Sequence, residues 1–163
     1  MTKIDVFKET MIAGYTCKGE YITVGGAVYE GQPLEKVYVN IPLKTLNRHG
    51  LIAGATGTGK TKSLQVMAEH LSKKGVPVLL MDLKGDLSGI GEAGEVKPFI
   101  LERLGKIGLD FQPQAFPTEL LTISEQNGVR MRATVSEFGA TLLSRILDLS
   151  EVQEGVVAVG FKG

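Results

Sequence analysis

Eight residues, Gly54-Ala55-Thr56-Gly57-Thr58-Gly59-Lys60-Thr61, concentrate the chemistry of this sequence. Glycines, a lysine and a terminal hydroxyl fall at the spacing G-x-x-x-x-G-K-[ST], the phosphate-binding P-loop or Walker A pattern. Gly54, Gly57 and Gly59 let the backbone turn through conformations closed to residues that carry a Cβ. Turned in this way, the N–H groups from Gly57 to Thr61, and of Lys62, point into one concavity suited to phosphate oxygens. A helix starting near Gly59 adds the positive end of its dipole. Lys60 then reaches the β- and γ-phosphates of a nucleotide and acts as the catalytic charge, while the Thr61 hydroxyl ligates Mg²⁺. The expected binding set is Gly54, Ala55, Thr56, Gly57, Thr58, Gly59, Lys60, Thr61 and Lys62, with ATP and Mg²⁺ as cofactors.

The flanking residues have to position that turn. Gly50-Leu51-Ile52-Ala53 is a short apolar run suited to a buried parallel strand. Leu64, Met67, Ala68 and Leu71 recur at helical spacing, and Gly75 after Ser72-Lys73-Lys74 is a helix stop. Val76-Pro77-Val78-Leu79-Leu80-Met81-Asp82 predicts a second parallel strand reached by a right-handed crossover. Asp82 would then lie at the carboxyl end of the sheet, where open α/β sheets bind ligands. It is a second metal candidate beside Thr61, and the competing reading is a strand-end acid that caps the next loop. Asp86 and Glu137 are weaker site candidates, better read as a loop-ordering acid and a helix N-terminal acid. Arg130, Arg132 and Arg145 are arginine-finger candidates that nothing in the sequence separates from surface arginines. His49 has no Cys or carboxylate at ligand spacing and reads as structural.

Residues 1–46 predict a β-rich segment, with 4–12 left open between helix and strand. Strands are expected at Tyr21-Ile22-Thr23-Val24 and Val37-Tyr38-Val39-Asn40-Ile41, with turns at Gly25-Gly26 and Gly31-Gln32-Pro33. Beyond the second parallel strand, residues 83–91 read as a loop, 97–104 as a helix and 111–117 as a connector. Glu119–Ser124 and Val129–Val135 predict strands joined as a hairpin through Gln126-Asn127-Gly128. Leu142, Leu143, Ile146 and Leu147 form another helical face. Ser150 and Gln153 make a capping box for a last helix. That helix runs to Gly160-Phe161-Lys162-Gly163 with its apolar run unfinished, so the chain is expected to end before its fold is complete.

The 163 residues allow one domain with a real core, and an apolar share of 43% excludes a disordered chain. Eighteen basic and eighteen acidic residues leave no global basic field that would mark nucleic-acid binding. The single cysteine, Cys17, excludes an internal disulfide and fits a reducing compartment. No stretch approaches a membrane span, and the charged N-terminus is not a signal peptide, so a cytoplasmic protein is expected.

Asn47-Arg48-His49-Gly50-Leu51-Ile52-Ala53, the G-A-T-G-T-G-K-T turn and D-L-K-G-D-L-S-G from Asp82 to Gly89 together resemble the bacterial HerA-like ATPases of the FtsK/HerA group. The stretches Arg132–Gly139, Leu142–Leu147 and Gln153–Val156 extend that resemblance along the chain. It implies a RecA-like α/β P-loop fold, a mostly parallel sheet flanked by helices, here with an incomplete core. The division would be 1–46 as the small N-terminal β-rich segment and 47–163 as the N-terminal part of the ATPase domain. The resemblance further implies a helicase-like hydrolase that moves DNA as a hexameric ring. The family's Walker B acid pair, an apolar strand ending in Asp-Glu, has no match here, so this chain alone is expected to be inactive. The alternative is a nucleotide-binding or interaction module without turnover.

Overall fold

The structure, a computed structural model, describes residues 1–161. Lys162 and Gly163, the end of the expected last stop, lie outside them. The chain divides into two units, Met1–Thr118 and Glu119–Gly163. The chain is mixed α/β with small sheets.

The first unit opens with α1, Lys3–Tyr15. The choice the sequence left open falls to helix because Thr2 and Asp5 form a capping box. The Asp5 amide donates to Thr2 Oγ1 at 3.3 Å, and the Thr2 amide donates to Asp5 Oδ2 at 2.7 Å. Strands β1 (Tyr21–Tyr29) and β2 (Gln32–Pro42) pair antiparallel. Glu30 and Gly31 join them, both at positive φ (46° and 81°), as a two-residue type I′ connection demands. Gly25-Gly26, expected as a turn, instead lies inside β1. The register shifts on either side of it, between Thr23 and Gly25 and between Gly26 and Val28. The strand continues there because a bulge absorbs the glycines without ending the pairing.

Three helices lean on this hairpin. Alongside α1, helix α2 (Lys60–Lys73) packs on β1 and α3 (Pro98–Ile107) packs on β2. Ile22 and Val37 are fully buried at the centre. Gly26 faces Ile107 so closely that a Cβ there would lie 2.9 Å from Ile107 Cγ2. Tyr38 ties the hairpin to the end of α3 by donating to the Gly108 carbonyl at 2.8 Å. Lys74, just past α2, pairs with Glu20 at the entrance to β1. Phe116 is buried and carries the Lys73 ammonium over its ring, 5.5 Å from the centroid.

The stop of α2 and the start of α3 follow the sequence, whereas α3 runs past the expected Leu104 to Ile107. After α2, Gly75 (φ 73°) turns left-handed, its amide donating to Ser72 O and the Val76 amide to Leu71 O. This double bond is the Schellman stop. Pro98 opens α3 at the first turn, where its missing N–H costs nothing.

The two expected parallel strands are the main departure. Residues 50–53 and 76–82 join neither of the two sheets of the described residues, each of which has only two strands. Parallel strands need neighbours brought alongside by crossovers, and no described strand comes alongside either segment. Their apolar side chains stay in solvent, with Leu79 80% and Met81 85% exposed. The described residues therefore do not form a mostly parallel sheet.

In the second unit, β3 (Leu121–Thr122) and β4 (Val129–Arg130) pair in parallel, where a hairpin was expected. Thr122 and Ser124 bond through their hydroxyls at the start of the link. The chain re-enters at Val129 running in the same direction as Leu121. Gly128 then sits so tightly that a Cβ would lie 2.7 Å from Leu120 O. Helix α4 (Val135–Ile146) is broken at Gly139, whose φ of 68° and ψ of 164° are not helical. It packs on α5 (Glu151–Gly160), which starts at the expected Ser150–Gln153 capping box. Among the described residues no helix is long and apolar enough to cross a membrane.

Candidate functional site

The 54–59 segment is solvent-exposed and folds as a turn that delivers the chain into α2 at Lys60. Gly57 and Gly59 hold φ of 82° and 94°, left-handed values that strain any residue with a Cβ. Gly54 is needed for space: a Cβ there would meet Thr58 Oγ1 at 2.5 Å. Thr58 braces the turn, its hydroxyl donating to Ala55 O at 2.8 Å.

Lys60 lies across the turn. Its ammonium donates to the carbonyls of Gly54 at 2.8 Å and Ala55 at 2.7 Å. Helix α2 begins behind it with Gly59 as N-cap, no capping side chain and no acid in the first turn. First-turn amides without an intrahelical or side-chain acceptor, together with the helix dipole, favour an anion. Glycine geometry, lysine charge and uncapped amides thus all suit phosphate. The Thr61 hydroxyl sits in the first turn of the same helix, a hard oxygen donor of the kind Mg²⁺ takes.

Asp82 is engaged differently. Its Oδ1 accepts from the amides of Lys84, Gly85 and Asp86 at 3.2, 2.8 and 3.2 Å, and its Oδ2 from Leu87 at 2.9 Å. These bonds, that of Leu87 foremost, hold the carboxyl below its ordinary pKa. The carboxylate thereby winds residues 84–87 into a tight loop, and Leu87 at its end is buried.

That loop is fastened to α2 by Gln65, a residue the sequence reading passed over. Gln65 is buried, only 7% exposed, on the α2 face where the sequence pattern put leucine, methionine and alanine. Its Nε2 donates to Asp86 O at 3.0 Å, and its Oε1 accepts from Lys62 Nζ at 2.8 Å. The available signal was its place three residues before Ala68 and four after Thr61, which puts it on the inward stripe. Leu64, counted on that stripe, is instead exposed.

The weaker candidates keep to local roles. Glu137 closes a capping box with Thr134, whose amide and hydroxyl donate to Glu137 Oε2 at 2.7 and 2.9 Å and lower its pKa. Arg130, Arg132 and Arg145 are exposed in the second unit, and His49 is exposed ahead of the turn. Among the described residues no three His, Cys, Asp or Glu side chains gather as a metal cluster.

The helicase HerA-like C-terminal family matches residues 28–163, and the chain belongs to that family. It is also similar to the DNA import protein CedB of Sulfolobus acidocaldarius, with 30% identity over 135 residues. That match covers 78% of this chain but 22% of CedB, so the chain spans about a fifth of that relative. No solved structure matches.

Proposed function

We propose that residues 54–62 are the phosphate-binding loop of a HerA-like, DNA-handling ATPase, with ATP as ligand. The observation that carries this reading is Lys60, whose ammonium spans the Gly54 and Ala55 carbonyls at the uncapped mouth of α2. Two neutral carbonyls are weaker partners for an ammonium than a phosphate oxygen, so an entering anion wins the lysine. Gly57, Gly59 and the first-turn amides hold the phosphates, Lys60 neutralises their charge, and Thr61 offers its hydroxyl to Mg²⁺. A bound Mg²⁺–nucleotide complex supplies the phosphoanhydride bond whose cleavage drives such motors.

In this reading residues 50–53 and 76–82 are inner strands of a RecA-like sheet completed by strands outside the described residues. The exposed Leu51, Leu79 and Met81 support it, because such strands are apolar on both faces. Action on DNA, a hexameric ring, a cytoplasmic setting and Walker B acids from a later strand belong to the intact assembly. The test is calorimetric titration with MgATP of the wild type and Lys60→Ala. Equal affinities in the two would end the Lys60 assignment.

A second reading, nucleotide binding without turnover by this chain, draws on Asp82. Its carboxylate is committed to four loop amides, which leaves it an ordering group and not a base for water. Phosphate release on MgATP separates the two readings. Release that Lys60→Ala abolishes favours the enzyme, and tight binding without release favours the module.

A further inference from the structure

We propose that Gln65 is a positioning residue that couples phosphate binding at the mouth of α2 to the order of the 84–87 loop. The inference rests on the nucleotide-binding reading above.

The geometry points one way. Gln65 lies four residues after Thr61, on the same face of α2 and about 6 Å further along the axis. Helix side chains lean toward the N-terminus, so the Gln65 amide reaches back toward the phosphate turn. Both ends of that amide are spent: Oε1 on the Lys62 ammonium and Nε2 on the Asp86 carbonyl. Lys62 itself belongs to the first turn, where its backbone amide faces the expected phosphates.

Asp86 is held from two sides. Its amide donates to Asp82 Oδ1, and its carbonyl accepts from Gln65. Asp82 orders the loop internally, whereas the Gln65 bond fastens it to the helix. An apolar side chain would fill the same buried place, yet it would leave the Asp86 carbonyl without this partner. A glutamine there therefore serves registration between two elements. An anion that fixes the first turn of α2 also fixes Lys62 and Gln65, and through them the peptide of Asp86.

Hydrogen exchange on the chain, with and without MgADP, tests this directly. In the wild type MgADP slows the amides of residues 84–87 by tenfold or more. Gln65→Met removes both hydrogen bonds. Gln65→Glu keeps an acceptor for Lys62 but turns a carboxylate oxygen on the Asp86 carbonyl. Both variants should bind MgADP within threefold of the wild type by calorimetry and keep the β1 and β2 amides protected. Both should lose the MgADP-dependent slowing at 84–87. A merely structural glutamine would change exchange there equally with and without nucleotide, which would overturn the coupling. So would slowing that persists in the variants, or wild-type binding that leaves 84–87 unchanged. Gln65→Glu, nearly isosteric, preserves the comparison if Gln65→Met unfolds the hairpin. Failure of the wild type to bind MgADP in calorimetry overturns the phosphate-loop reading and this inference with it, a result distinct from binding without coupling.

Discussion

Two stretches of the first unit have similar sequences and opposite fates. The β1–β2 hairpin, rich in Val, Ile and Tyr, and the segments 50–53 and 76–82, rich in Leu with Ile or Val, are all apolar runs that read as strands. The hairpin buries Ile22 and Val37 completely, while Leu79 and Met81 stand in solvent. The difference lies in where each finds its hydrogen-bond partner. An antiparallel partner needs only Glu30-Gly31, so the pairing is local and pays little loop-closure entropy. A long parallel strand generally needs a partner brought round by a crossover, and the described residues bring none alongside 50–53 or 76–82. Strand propensity makes a segment eligible for a sheet, and a neighbour makes it a strand.

The sharpest way to break this comparison is truncation on both sides of it. Ile22→Ala should destabilise the first unit by about 2–5 kcal/mol, the range for emptying a core aliphatic site. Leu79→Ala should change it by less than about 0.5 kcal/mol, as surface changes do. Urea denaturation of both variants reads the contrast, and equal losses would mean that residues 76–82 are packed after all. Smaller in expected effect is Lys60→Ala, which removes charge-assisted bonds worth about 1.5–3 kcal/mol, on the order of 10- to 100-fold in Kd for MgATP. Calorimetry should show that loss with the hairpin's urea midpoint unmoved.

Gly26→Ala probes how closely the hairpin meets α3. The new methyl would press on the β-branched carbon of Ile107, which cannot swing aside, and overpacking of this kind costs about 1–3 kcal/mol. Thermal denaturation should register the loss, and Gly25→Ala, with open space around its Cβ, should come out milder.

The smallest effect is a pH dependence at the other end of α2. Burial, and then the nearby Lys73 charge, lower the pKa of His70. A base whose folded pKa is lowered favours the neutral form, so the unfolded chain binds its proton first. His70 therefore contributes stability that is full above its ordinary pKa of about 6.5 and is lost as pH falls below it. A urea midpoint that declines below pH 6.5 in the wild type, and less steeply in His70→Gln, would bear this out. Asp82 has the same sign at lower pH. Its lowered pKa keeps the 84–87 loop ordered above the ordinary carboxylate range and releases it as pH falls beneath. Protection of the 84–87 amides, taken relative to their pH-corrected intrinsic exchange rates, should fall in acid, and already at neutral pH in Asp82→Asn.

Much of the site could be read locally. The glycines at 57 and 59 announce left-handed turns, Gly75 a helix stop, and Ser150 with Gln153 a capping box, since each depends on atoms within a few residues. The turn proposed at Gly25-Gly26 failed because the same glycine flexibility serves a bulge equally well, and only the partner strand decides between them. The hairpin expected at Gln126-Asn127-Gly128 failed for a similar reason. The pairing that forms sets Leu121 beside Val129 in parallel, a choice between partner strands that the Asn-Gly pair does not decide.

The sequence by itself determined the left-handed glycines at 57 and 59, the helix stop at Gly75, the capping box of Ser150 and Gln153, and the family. All of these follow from short-range sterics, hydrogen bonding or residue identity. Only the tertiary structure decided that Gln65 faces inward to hold Asp86 and which apolar runs become paired strands. Those outcomes depend on groups that are distant along the chain or that compete for the same partner, and spacing within a sequence cannot rank such contacts.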